Sequence, residues 1–231
     1  MITAAGAPTT VLVQLRRHLR ALLIVFPLLY LLHSFLPDSR RLFVDEDHSA
    51  FIPFWLVIAA LHWTSVAIGW RMLRRSGLGP ADIGLRVNKR QGALVALAVA
   101  GFGLMIVLLR TQVSALPWFG GHAPAFGVGS PASTGDRLFW IPIAMTAGIC
   151  EEFVYRGLAI GGQRAANVTT PVALAWSTIA FVFVHGFSAF FLFPLYIAVG
   201  TVMAFIYMRT NNLAIGMIAH CTLDLLAMLA S

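Results

Sequence analysis

RLFWIPIAMTAGICEEFVYRG, residues 137–157, is the stretch whose reading decides the fold. From Leu138 to Cys150 no residue is charged, and then Glu151, Glu152 and Arg156 follow inside the same apolar run. About 20 apolar residues cross roughly 30 Å of hydrocarbon, so this stretch is long enough to span a bilayer. Ionisable residues within a span are costly and by default mark function. The stretch therefore predicts both a membrane helix and a site.

The rest of the chain agrees with it. Of 231 residues, 59% are hydrophobic and 11% charged, and the mean hydropathy is +0.83. So few charges cannot cover a water-soluble domain of this length. The apolar ruler gives seven spans, at about 20–37, 51–73, 92–110, 137–157, 171–188, 190–208 and 212–230. We expect an all-α polytopic transmembrane helix bundle, one membrane domain over residues 1–231. Residues 1–136 supply the N-terminal spans and loops, and 137–231 the core that bears the site.

The net charge of +7 is a topology signal and does not point to nucleic acid. With a cytoplasmic N-terminus and alternating spans, twelve of the 16 basic residues fall inside, among them Arg16, Arg71, Lys89 and Arg209. Four, Arg40, Arg41, Arg110 and Arg137, fall outside with the acidic cluster Asp45–Glu46–Asp47. That asymmetry follows the positive-inside rule. The first span follows a basic run and ends in Leu36–Pro37–Asp38 without a small-residue cleavage site, which reads as a retained anchor. Cys150 and Cys221 both lie within spans, so no disulfide framework is expected.

Three of the connections between spans stand out: a basic inside loop at 74–91, a Gly/Pro-rich outside segment at 111–136, and an inside link at 158–170. Pro194 within the sixth span predicts a kink or a late start. No internal repeat is visible, so an inverted-repeat transporter gains no support.

The second half of the chain collects Glu151, Glu152, Arg156, His185, His220 and Asp224 within its spans. The first half has His33 and His62, which read as interfacial or hydrogen-bonded packing residues. Glu152 and Arg156 are four apart with the acid first, so they share a helix face and can pair. Glu151 lies about 100° around the helix and points elsewhere. His220 and Asp224 share a face in the same way, as do Phe181 and His185. At 1.5 Å per residue from the inside ends, Glu151, His185 and Asp224 come to roughly 20 Å depth, with His220 one turn shallower. Three helices thus bring two carboxylates and two imidazoles to a similar level.

A carboxylate and a histidine on one water can perform general-base hydrolysis. A second histidine, held by an acid one turn away, can donate to the oxyanion of a tetrahedral intermediate. No serine stands in a nucleophile setting beside either histidine, and no HExxH helix is present. Glu151, His185 and His220 are chemically able to bind a metal, but water activation needs none, and no cofactor is expected. Neighbours on a helix diverge by about 100°, so Cys150 and Cys221 are not placed in the cluster.

These residues resemble the CAAX protease and bacteriocin-processing family of intramembrane endopeptidases, type II CAAX prenyl protease-like. The motifs are EEFVYR at Glu151–Arg156, FVFVH at Phe181–His185 and HCTLD at His220–Asp224, in order on three polar-bearing spans. GLGPADIGLR at 77–86 is similar to the loop that precedes a helix in such proteins. The resemblance implies that Glu151 activates water with help from His185. It implies that His220 and Asp224 stabilise the oxyanion, while Glu152 and Arg156 hold the site's shape. Prenyl-processing members of the family it resembles tend to carry Asn where this chain has Asp224. An ionised carboxylate cannot donate a hydrogen bond, so Asp224 is either protonated or orients His220, and the second reading is favoured.

The expected substrate is a membrane protein or lipid-modified peptide. The expected location is multi-pass in a prokaryotic cell membrane, in contact with the lipid bilayer. Two further classes remain open on the residues: a non-catalytic scaffold or immunity-type protein, and a proton-coupled transporter that relays protons through buried acids and histidines.

Overall fold

The computed structural model describes residues 8–43, 47–85, 101, 131–186 and 189–229. Among them every regular element is helical, as expected. The long helices are α1 (Thr9–His33), α3 (Phe51–Arg75), α4 (Thr134–Ala165) and α6 (Ala189–Thr210). Shorter ones are α2 (Pro37–Phe43), α5 (Thr170–Val184) and α7 (Leu213–Leu229). The expected third span at 92–110 lies outside the described residues apart from Gly101, as does 111–130 of the outside segment. Arg86, Lys89, Arg90, Arg110, Asp45 and Glu46 lie outside them too.

The helices are apolar on more than one face. On α1, Leu15, Leu19, Leu22, Phe26 and Tyr30 are buried at helical spacing, while Leu28 and Leu32 on the other side are 50% and 62% exposed. A helix apolar all round belongs in a hydrocarbon solvent. Leu56 on α3, Leu138 on α4, Ile179 on α5 and Phe205 on α6 are likewise more than half exposed. By length and apolarity, His48–Arg75, Thr134–Ala165 and Phe193–Thr210 can each cross a membrane. The pair α1 and α2, bent by 66° between them, makes a fourth crossing if it is one span.

α5 and α7 are apolar but short, so the count of seven spans is not reached by length among the described residues. α5 stops because His185 leaves the helix and Gly186 takes φ +59°. A Cβ at Gly186 would lie 3.0 Å from Ser34, where α1 ends. Broken helices are tolerated in membranes only where neighbouring protein or a cavity lines the break. The chain here breaks beside its polar cluster.

α4 runs further than the expected span and leaves only 166–169 to connect it to α5. Its glycines alone argue for an earlier end, because glycine weakens helices. Tertiary contacts override that preference. A Cβ at Gly161 would strike the Tyr207 hydroxyl and lie 3.1 Å from Ile83, and one at Gly157 would lie 3.2 Å from Leu213. Small residues in α4 thus admit α6, α7 and the loop at 77–85. At the other end, Ser133 and Asp136 close a capping box at the helix start.

The loop at 77–85 is bound to the α6–α7 turn. Tyr207 donates to the Ile83 carbonyl at 2.9 Å, and the Leu213 amide donates to the Gly84 carbonyl at 2.8 Å. Gly84 has φ +75°, and a Cβ there would lie 2.9 Å from the Asn211 carbonyl oxygen. Gly77 has the same φ, but open space surrounds it. A non-glycine residue in this conformation costs about 1–2 kcal/mol. Gly84→Ala is therefore expected to lower thermal stability in detergent more than Gly77→Ala, and Gly77→Ala by about that strain alone. Equal losses would mean that the Asn211 contact carries no weight.

Candidate active site

At Glu152, α4 changes its hydrogen-bond ladder. Glu152–Gly162 is π-helical over 11 residues, whereas most π-helical segments are single-turn bulges, frequently at functional sites. The straight α-helix assumed in the depth estimate does not hold there. The expected pair forms nevertheless: Arg156 Nη1 donates to Glu152 Oε1 at 2.8 Å, with both side chains 0% exposed. Arg156 Nη2 donates to the Gly200 carbonyl of α6 at 3.2 Å. The guanidinium lies 4.3 Å from the centroid of the Phe181 ring, a cation–π distance.

The same Oε1 of Glu152 lies 3.0 Å from His220 Nδ1 on α7. A carboxylate only accepts, so with Glu152 ionised the imidazole donates through Nδ1. Spacing within α7 assigned the orientation of His220 to Asp224. The hydrogen bond that orients the ring is instead accepted by Glu152, while Asp224 Oδ2 lies 3.9 Å from the other ring nitrogen. That distance suits an ion pair but exceeds a hydrogen bond. Gly216 makes room for this arrangement, since a Cβ there would lie 2.7 Å from Glu152 Oε2. Gly216, His220 and Asp224 are spaced by four and share one face of α7.

His185 ends α5, where its Nδ1 donates to the Phe181 carbonyl at 2.8 Å. Its ring stacks on Tyr196 of α6 with centroids 3.7 Å apart. Phe181 packs at the centre of the cluster. Its ring centroid lies 4.9 Å from that of His185, 6.1 Å from that of His220 and 5.9 Å from that of Tyr155. A Cβ at Gly200 would lie 3.0 Å from it, so glycine there serves both the ring and the arginine.

Glu151 points away from Glu152, as the helical offset requires, and it meets α3. Its Oε1 lies 3.1 Å from His62 Nε2, and His62 Nδ1 lies 2.9 Å from the Ile58 carbonyl. Both side chains are buried. His62, His185 and His220 all interact electrostatically with Glu151, and Asp224 interacts with His220, Glu151, His62 and Glu152. The expected residues Glu151, His185, His220 and Asp224 thus stand within electrostatic range of this group. Of these, His185 and Asp224 keep partial exposure.

His62 was read as a packing histidine. The only signal against that reading was its ionisable ring inside a span, and nothing in the sequence pairs it with a residue 89 positions away. His33, read in the same way, is buried and stacked on Phe54 at 4.9 Å. Cys150 and Cys221 are free thiols, and Cys221 Sγ lies 3.7 Å from the Met145 carbonyl. Among the described residues, no three His, Cys, Asp or Glu side chains are grouped to hold a metal ion.

Apolar helices gathered round a buried polar cluster make this an integral membrane protein. Residues 133–226 match the family described as type II CAAX prenyl endopeptidase Rce1-like. The match contains all three motifs and leaves residues 1–132, with His62, outside it. No curated protein and no solved structure matches the chain.

Removing one partner of a buried ion pair strands the other charge, at about 3–5 kcal/mol. Arg156→Met is accordingly expected to lose about that much stability, read as a large fall in unfolding temperature in detergent. An unchanged temperature would mean that the pair does not hold α4, α6 and α7 together.

Proposed function

We propose that this protein is an intramembrane endopeptidase in which Glu151 is the general base for a hydrolytic water. One observation carries the reading. Glu151 is buried with Oε1 held at 3.1 Å by His62, while Oε2 has no hydrogen-bond partner among the described residues; Glu152 Oε2 lacks one as well, but that carboxylate already serves Arg156 and His220. A buried carboxylate oxygen left unpaired is costly and calls for an explanation. A base fixed through one oxygen and available through the other provides one.

In this mechanism Glu151, with His185 beside it, removes a proton from water as the water oxygen bonds to the scissile carbonyl carbon. The carbonyl electrons move onto oxygen and form an oxyanion. The carbon–nitrogen bond then breaks, the proton on Glu151 passes to the leaving amine, and the products are a carboxylate and an amine. His220 stabilises the oxyanion. With Nδ1–H directed at Glu152, the ring can donate from Nε2 only as an imidazolium. Glu152 and Asp224 place a carboxylate on each side of that ring. Asp224 balances its charge, and Glu152 with Arg156 fixes its position.

The matched family's name speaks of prenyl endopeptidases. For this chain we assign the same substrate class, a lipid-modified C-terminal peptide presented from the bilayer. The exposed apolar residues on the helices around the cluster support lateral entry from lipid. The N-terminus is assigned to the cytoplasmic side on the distribution of basic residues.

General acid–base groups contribute typically 10²–10⁴-fold. Glu151→Gln is therefore expected to reduce cleavage by about that factor without loss of the folded protein. Mass-spectrometric mapping of membrane-protein termini, in cells carrying either form at matched abundance, checks this. Termini lost only with the variant would identify the substrates. Identical termini in both would overturn the proteolytic reading in favour of a binding role.

A further inference from the structure

We propose that His62 of α3 is the positioning residue for Glu151, and that one proton shared between His62 Nε2 and Glu151 Oε1 fixes the base. This rests on the assignment of Glu151 as the base, and it adds a residue outside the segment that matches the family. The inference follows from hydrogen-bond stoichiometry. A backbone carbonyl only accepts, so the 2.9 Å contact from His62 Nδ1 to the Ile58 carbonyl requires a proton on Nδ1. In the neutral ring Nε2 then has only a lone pair. It faces a carboxylate oxygen at 3.1 Å. Two lone pairs at that distance make no hydrogen bond. One proton must lie between them, and with Glu151 acting as the base it rests on the imidazolium, which gives a charge-assisted hydrogen bond of ordinary length.

The setting suits a device that positions the acid. His62 and Glu151 are 4% and 7% exposed, so bulk water does not compete for the contact. The Tyr30 ring of α1 lies 5.1 Å from His62 by centroids. Ser65 is one turn further along α3 and donates to the His62 carbonyl at 2.7 Å. His185 and Asp224, from α5 and α7, interact with His62 across the cluster. Each helix facing the ring thus contributes a polar or aromatic group. His33 on α1 also has a stacked aromatic ring and a serine on its carbonyl, so what sets His62 apart is the Glu151 carboxylate 3.1 Å from its ring.

Partners that orient the ligands of a metal site commonly cost 10–100-fold in activity when removed, and the same scale is taken here for a base held by one hydrogen bond. His62→Leu is expected to lower kcat about 10–100-fold, with KM changed by less than about twofold, on a peptide whose cleavage depends on Glu151. His62→Gln keeps a donor near the Nε2 position and is expected to recover at least half of that loss on a logarithmic scale, roughly three- to tenfold. Wild-type kcat in His62→Leu, or no recovery with Gln, overturns the proposal while leaving Glu151 as the base if Glu151→Gln is inactive. Full activity of Glu151→Gln overturns the base assignment instead. A second readout needs neither substrate nor the leucine variant. In ¹⁵N-histidine-labelled protein in detergent, the His62 signal is assigned by its absence from His62→Gln. Its Nε2 resonance is expected to move in Glu151→Gln while Nδ1 stays protonated. An unmoved Nε2 resonance would show that the two groups share no proton.

Discussion

An arginine with no solvent exposure has to be neutralised by a group equally buried, and the position of Arg156 sets that demand. Glu152 meets it from one turn away, and the same carboxylate oxygen also receives His220. The guanidinium in turn holds the Gly200 carbonyl and covers Phe181, whose helix ends at His185. One ion pair therefore fixes α4, α5, α6 and α7 relative to one another. The desolvation of such a pair is expensive, and its Coulomb energy alone often fails to offset the cost. It is better understood as specifying a geometry. The geometry in question places His220 and His185 near Glu151.

Two consecutive glutamates separate into different roles because a helix turns about 100° per residue. Glu152 faces α6 and α7 and is spent on structure. Glu151 faces α3, where His62 takes one oxygen and leaves the other available for chemistry. The glycines complete the arrangement by absence of side chain. Gly216 admits the Glu152 carboxylate, Gly200 admits Phe181, and Gly148 lets α7 approach so closely that a Cβ there would lie 2.6 Å from the Cys221 amide nitrogen. Close approach through small residues is the usual way for membrane helices to pack, since lipid supplies no hydrophobic drive between them.

Much of this was legible in the sequence, and the boundary has a physical origin. The apolar runs required a membrane bundle, and the i, i+4 pairs Glu152–Arg156 and His220–Asp224 were readable because they are local. The gathering of Glu151, His185, His220 and Asp224 was readable through depth, a single coordinate that every spanning helix shares. Rotation about each helix axis is not contained in depth. It decides that His220 bonds Glu152 and lies 3.9 Å from Asp224, and that His62 reaches Glu151. The π-helical stretch and the long reach of α4 were also hidden, because glycines that weaken an isolated helix are stabilised here by the elements packed on them.

The central claim is that the two adjacent carboxylates have opposite functions, one conformational and one chemical. Thermal unfolding of the purified protein in lipid nanodiscs, for Glu151→Gln and Glu152→Gln side by side, tests it most directly. The account predicts that Glu151→Gln unfolds close to the native protein, because His62 and the helix contacts remain. Glu152→Gln leaves Arg156 buried without a counter-charge and is predicted to unfold many degrees lower. Equal unfolding temperatures for the two variants, or a larger fall for Glu151→Gln, would contradict the division on which the site is built.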